Sequence, residues 1–410
     1  MVSRTANRLS PLRFVVAFGV VSMLADLVYE GARSIVGPFL ATFGASATLV
    51  GLVTGLGEAV ALVLRLGTGR LSDRTGRHWA LSITGYAITV VSVPLLAAAQ
   101  GLWQAGTLVV AERFGKAVRA PARDTMLAQA SAAIGRGRAF ALHEALDQSG
   151  ALLGPLLVAA MVALSGFRLG FAVLAVPGAM TLAALAWLRA AVPAPAGYES
   201  ARQAAPRPPA GAAQPGGDPL APARFPARFW LYAAFTSLSM SGFATFGLLS
   251  YHLEAHRVVP AAQIPVIYAM AMGVAALASL ASGRAYDRIG LRGLLVLPPL
   301  SMAIPLLALS TSAALVWAGN VAWGAVMGVH ESTMRAAVAD LVPRDRRGAG
   351  FGAFSAIYGL AWLAGGVTIG ALYGHSVDAV VVFTAVLQTL ALLPLLPLIV
   401  PPRGGAAQAA

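Results

Sequence analysis

The sequence predicts an all-α membrane protein with twelve transmembrane helices in two six-helix halves. Three observations point there. The chain of 410 residues is 58% hydrophobic and 11% charged, where a soluble protein carries about 25% charged residues. Apolar runs of about 20 residues, enough to cross a bilayer, recur along its whole length. One charged stretch also occurs twice, as GRLSDRTGRH from Gly69 to His78 and as GRAYDRIGLR from Gly283 to Arg292. Each copy lies between two apolar runs, which is the mark of an internal repeat.

The net charge of +13 would suggest a nucleic-acid partner in a soluble protein. Its distribution says otherwise. Twenty arginines, among them Arg4, Arg8, Arg70, Arg74, Arg77, Arg284, Arg288 and Arg403, fall in tails and loops of one side. The opposite loops hold only Arg168 and Arg257. By the positive-inside rule both termini are cytoplasmic, in the plasma (bacterial inner) membrane, and the lipid bilayer rather than nucleic acid is the expected partner. There is no signal-peptide pattern, because the first apolar run is too long and many others follow. Cysteine is absent, so no disulfide framework or thiolate metal site is expected.

In order, the spans are about 13–40, 47–70, 78–99, 103–130, 139–164, 168–190, 229–255, 262–285, 292–311, 313–341, 348–373 and 376–399. Residues 1–190 form an N-terminal six-helix bundle and 229–400 a C-terminal one, with a tail at 401–410. Between the bundles, 191–228 is rich in Pro, Ala and Gly and reads as a flexible cytoplasmic linker.

The repeated stretch resembles the loop 2–3 signature of the major facilitator superfamily, G-x-L-x-D-R-x-G-R. The first copy matches at Gly69, Leu71, Asp73, Arg74, Gly76 and Arg77, with His78 where the family often has Lys or Arg. The second keeps Gly283, Asp287, Arg288 and Gly290 and has Ala285 for the Leu. The resemblance implies the facilitator fold, with a substrate site between the halves near the midplane. It also implies a conformational latch. Asp73 would sit at the N-terminus of the eleventh helix, where free N–H groups favour an anion, and would pair with Arg123. Asp287 would do the same more weakly.

Charges inside a span are costly and mark candidate functional residues. The first span carries Asp26, Tyr29, Glu30 and Arg33; Asp26, Glu30 and Arg33 share an arc of about 60°. Asp26 reads as a protonatable carboxylate with Arg33 nearby, and Glu30–Arg33 equally as a structural pair. Glu58 lies at mid-depth of the second span. The fourth span is densest: Glu112, Arg113, Lys116, Arg119 and Arg123 lie within about 120° of arc, and Lys116 is the chain's one lysine. Arg113 to Ala117 is similar to the R-x-x-Q-G mark of drug:proton antiporters, with Lys116 for Gln and Ala117 for Gly.

In the fifth span, Gly150, Gly154 and Pro155 resemble the G-x-x-x-G-P mark of the same branch, which implies export. The two glycines would permit close packing and the proline a bend. His143, Glu144 and Asp147 are expected to pair with Arg119 and Arg123, and Glu144 or Asp147 also reads as a proton carrier. The C-terminal half offers Phe243, His330, Glu331, Tyr358 and Trp362 as cavity candidates.

The expected function is a monomeric, proton-coupled exporter of small amphiphilic molecules, with Asp26, Glu30, Glu58, Glu144 and Asp147 as coupling candidates and no cofactor. The alternative is an organic-anion or metal-chelate carrier using the basic stripe of the fourth span. A zinc hydrolase at His143-Glu144 lacks the three protein ligands usual for catalytic zinc, and a sensor that does not transport is disfavoured by the charged spans.

Overall fold

The computed structural model describes residues 7–131, 134, 136–198, 225–342 and 347–399. Every regular element among them is helical. Nine stretches are long and apolar enough to cross a membrane. Two of these, Leu142–Ala191 with 50 residues and Gln263–Ala308 with 46, are long enough to cross twice. The first breaks at Ser165 and Gly166, the latter with φ 76°; the second breaks at Gly290, with φ 59°. Leu102–Ser131 is as long as the others but carries the charged stripe. Twelve crossings result among the described residues, and the chain is a multi-pass membrane protein.

The helices are α1 (Pro11–Thr42), α2 (Ala47–Thr75), α3 (His78–Ala98), α4 (Leu102–Ser131), α5 (136–164) and α6 (167–191). They continue as α7 (Ala227–Ala255), α8 (Gln263–Ile289), α9 (290–308), α10 (Ala313–Leu341), α11 (Arg347–Tyr373) and α12 (Val377–Ile399).

Both copies of the repeated motif are helix ends rather than loops. After a break at Leu64, α2 runs on to Thr75, so Gly69, Asp73 and Arg74 are helical. The turn itself is Gly76, whose φ of 61° suits a residue without Cβ, and whose N–H bonds Ser72 O at 3.0 Å. His78 Nδ1 lies 2.9 Å from Ser72 Oγ and ties the turn across. In the second copy α8 carries Gly283, Asp287 and Arg288 to Ile289, and Gly290 makes the left-handed turn. Each helix therefore runs on by about one turn beyond its expected end.

The expected linker 191–228 is described only at its two ends. Its residues 199–224 lie outside the described residues, as do those of the tail 401–410. The preceding 192–198 folds down instead of running free. Trp79 Nε1 donates to Val192 O at 3.1 Å and Tyr198 Oη to Leu9 O at 2.7 Å. The Tyr198 ring stands 5.9 Å from that of Phe14, inside the apolar cluster of Phe14, Phe18, Trp79, Tyr86 and Leu185. Burying that ring outweighs the flexibility that Pro and Ala would allow.

The helices sort into two compact units. The first holds Met1–Ala45, Leu56–Pro215 and Leu253–Ala269; the second holds Ser46–Gly55, Gly216–His252 and Met270–Ala410. Each thus includes a short segment from the other sequence half. In the second unit the start of α2 lies backbone to backbone on α11: a Cβ on Gly51 would stand 2.1 Å from Gly366 O. In the first unit, α5 lies equally close on α1. A Cβ on Gly150 would stand 2.1 Å from Met23 O, and one on Gly154 2.3 Å from Leu27 O. On the other flank α3 meets α4 at Gly85 and Gly115, where a Cβ on Gly115 would come within 2.7 Å of Gly85 O. These close seams set the rotation of α1 and α4, and with it the side chains they turn inward.

Candidate functional site

The charged arcs of α1 and α4 meet inside the first unit. Four cations (Arg33, Arg113, Lys116, Arg119) and four acids (Asp26, Glu30, Glu58, Glu112) gather there with Tyr29 and Tyr268. Glu58 is the hub: its Oε1 stands 3.1 Å from Arg33 Nη2 and 3.3 Å from Arg113 Nη2. Arg113 Nε also holds Glu112 Oε2 at 3.2 Å. Glu30 divides its oxygens, Oε1 lying 3.6 Å from Arg33 Nη1 and Oε2 accepting from Tyr268 Oη. Gathering these groups in one place satisfies charges that lipid could not.

Asp26 is held differently. Its one ion pair among the described residues is with Arg119 Nη2 at 3.8 Å, beyond hydrogen-bond length. Arg119 is 1% exposed and lies over the Tyr86 ring at 4.5 Å. Lys116 takes no carboxylate among the ion pairs of the described residues. Its Nζ donates to Tyr29 Oη at 2.6 Å and lies 4.1 Å from the centre of that ring. Arg113 and Arg119 flank the same ring at 5.0 and 6.0 Å. Arg113 Nη1 and Arg119 Nη1 are buried without an acceptor among the described residues.

Three expected pairings take other partners. Arg123 does not pair with Asp73: its Nε bonds the adjacent Asp124 Oδ1 at 3.0 Å, while Asp73 stands exposed at the end of α2. A neighbour on the same helix turn costs less side-chain ordering than a distant exposed acid. Arg119 turns to Asp26 on α1 rather than to an acid on α5. On α5, His143 Nε2 meets Ser22 Oγ at 2.9 Å, Glu144 is exposed and accepts from Gln148 Nε2 at 3.1 Å, and Asp147 Oδ1 is buried without a partner. His143 therefore belongs to a hydroxyl network that continues from Ser22 to Tyr86 Oη at 3.1 Å. No group of three or more metal-ligating side chains occurs among the described residues. Arg74, Arg77, Asp287 and Arg288 are exposed at the motif ends, and Pro155 is buried within α5.

The second unit holds the aromatic candidates. His330 is 1% exposed, with Nε2 3.4 Å from Ser239 Oγ. Its ring centre lies 6.2 Å from Phe243 and 6.1 Å from Tyr358, and Tyr358 stands 5.9 Å from Trp362. Phe243 occupies the break in α7 at 243–245, where Ala244 O accepts from Trp323 Nε1 at 2.9 Å. Glu331 is exposed. Sequence reasoning missed Tyr268, whose only signal is a phenol in an apolar run, and missed Ser22 and Tyr86.

The chain belongs to the major facilitator superfamily, whose sequence model matches residues 18–297 and 259–410. It is 50% identical over 396 residues to an uncharacterized protein of Mycobacterium tuberculosis (strain H37Rv), covering 96% of this chain and 94% of that one. An uncharacterized MFS-type transporter of Methanocaldococcus jannaschii is 27% identical over 140 residues, 34% of this chain and 35% of that one. Among solved structures, a POT family transporter in complex with a thioalcohol-conjugated peptide superposes with TM-score 0.73 at 12% identity, covering 94% and 95% of the chains. The nucleoside transporter NupG gives 0.72 at 13%, covering 94% and 100%. A bacterial homolog of the human lysosomal transporter Spinster gives 0.68 at 15%, covering 95% of each. These likenesses are likenesses of fold. The protein is a transporter of small molecules, not an enzyme.

Proposed function

We propose that this transporter is a proton-coupled exporter of small amphiphilic molecules, working by alternating access as a monomer in the plasma (bacterial inner) membrane with both termini cytoplasmic. The observation that carries the reading is the loose hold on Asp26. Glu58 and Glu112 sit in ion pairs of 3.1 to 3.3 Å, and Glu30 is bonded by a phenol, but the cation nearest Asp26 stands at 3.8 Å. Asp26 is the acid of the cluster that takes a proton without breaking a tight pair. With all eight groups ionised the cluster is neutral. A proton on Asp26 and a cationic substrate beside it would each leave an excess positive charge in a low dielectric. They therefore exclude one another, which is the requirement for exchange. Each ligand shifts the access equilibrium by its differential affinity for the two states. The resemblance of Gly150, Gly154 and Pro155 to the antiporter mark supports export.

The experiment uses proteoliposomes with an imposed pH gradient and a fluorescent lipophilic cation. Gradient-driven movement lost in Asp26→Asn, with substrate counterflow retained, supports the reading. Full gradient-driven movement in Asp26→Asn sinks it. A second reading, carriage of organic anions or metal chelates, is favoured by one specific observation: Lys116, Arg113 and Arg119 gather on the Tyr29 ring, and Arg113 Nη1 and Arg119 Nη1 are buried there with donors to spare. Movement of organic anions but not of lipophilic cations, abolished by Lys116→Met, selects it.

A further inference from the structure

The segment Leu253–Ala269, which joins α7 to α8, belongs to the first compact unit although it comes from the second sequence half. It includes the start of α8, at the end of that helix away from Gly283 and Gly290. The arginine distribution assigns that end to the outside. Its polar residues His256, Arg257 and Gln263 are exposed and its apolar ones turn inward: Leu253, Ile264 and Ile267 are each 0% exposed and Ala269 is 2% exposed. Tyr268, also 0% exposed, is where the segment touches the charges, donating its hydroxyl proton to Glu30 Oε2.

That bond does not stand alone. Glu30 Oε1 lies 3.6 Å from Arg33 Nη1, Arg33 Nη2 lies 3.1 Å from Glu58 Oε1, and the same oxygen lies 3.3 Å from Arg113 Nη2. A continuous line of contacts thus runs from the segment, through α1 and α2, to the basic stripe of α4.

We propose that Tyr268 is the bolt by which the ionic cluster holds the α7–α8 segment shut over the outer end of the site. Apolar burial alone would close the segment with a strength indifferent to what the cluster binds. A phenol donating to an ionised carboxylate is a charge-assisted bond, so its strength follows the state of Glu30. A ligand that draws Arg33 or Glu30 into new contacts weakens the bolt, and the site opens outward. Release also leaves a buried carboxylate oxygen without its donor until water enters, which ties opening to hydration of the site. Tyr268 is a positioning residue: it touches the cluster and sets access to it.

The test exploits the absence of native cysteine. Ile264, one helical turn before Tyr268, is replaced by cysteine in the full-length chain. Its labelling by a membrane-impermeant maleimide is then followed with neither substrate nor pH gradient present. Labelling of a buried thiol tracks the population of the open form. Tyr268→Phe keeps the ring and removes the hydroxyl. We expect labelling to accelerate about tenfold, the equivalent of ~1.4 kcal/mol. An acceleration of threefold or more supports the bolt, and a smaller one overturns it. If Tyr268→Phe does not yield monodisperse protein, Glu30→Gln carries the same test with the same threshold. The readout needs no transported molecule, so failure here and failure of the Asp26→Asn experiment are separate outcomes.

Discussion

Lys116 Nζ sits 2.6 Å from Tyr29 Oη and 4.1 Å from the centre of the same ring. The chain's single lysine therefore rests on a phenol and not on a carboxylate. An ammonium sheds its proton and rearranges its donors more readily than a guanidinium. Lys116→Arg should keep the charge and lose the geometry, since a planar fork cannot reproduce one short bond to Tyr29 Oη. We expect transport rate to fall at least tenfold with folding intact, checked by initial rates beside melting temperature.

Glu58 is shared by two arginines, at 3.1 and 3.3 Å. Glu58→Gln leaves both buried without their common acid. Breaking a buried pair in this way costs about 3–5 kcal/mol. Asp26→Asn, which loosens a contact of 3.8 Å, should cost much less. Thermal melts in detergent check this. Equal losses in the two variants would overturn the ranking of tight and loose acids.

Gly150 and Gly154 lie where any Cβ would enter the backbone of α1, at 2.1 and 2.3 Å from carbonyl oxygens. Gly150→Ala must push α5 from α1, and overpacking of this kind costs about 1–3 kcal/mol. Since α1 carries Asp26, Glu30 and Arg33 of the ionic cluster, the same variant should slow transport more than Gly101→Ala, at a glycine with open space around it. Paired melting curves and uptake rates read both effects.

Asp73 is exposed at the end of α2, so Asp73→Asn should leave insertion and melting temperature unchanged. The latch role expected of it predicts that transport is nevertheless abolished. Normal transport by Asp73→Asn would remove Asp73 from the mechanism and leave the motif as a helix end with a glycine turn.

The architecture was largely legible from local signals. Apolar runs near bilayer length located the crossings, and the two G-x-x-x-D-R-x-G copies located the repeat. The charged arcs of α1 and α4 were also legible, because Asp26, Glu30 and Arg33 share one arc by helix periodicity alone. The ends of elements were less so. The motif reads as a loop because it is polar, yet a helix end is free to be polar once it leaves the bilayer, and only Gly76 and Gly290 within it need a positive φ. Tyr198 looked like linker because its neighbours are Pro, Ala and Gly, while its single ring finds a place among Phe14 and Trp79.

Sequence alone pointed to the twelve crossings and to Asp26, Glu30, Arg33, Glu58, Arg113, Lys116 and Arg119 as charges inside them, because length, hydropathy and periodicity are properties of neighbouring residues. Which charge meets which was decided by the tertiary structure. Arg119 takes Asp26 instead of an acid on α5, Arg123 takes Asp124 instead of Asp73, and Tyr268 reaches Glu30 across 238 residues. The physical reason is that an ion pair or hydrogen bond depends on distances of a few tenths of an ångström. For Asp26 and Arg119 they depend on how α1 and α4 are themselves held, α1 against α5 at Gly150 and Gly154, and α4 against α3 at Gly85 and Gly115.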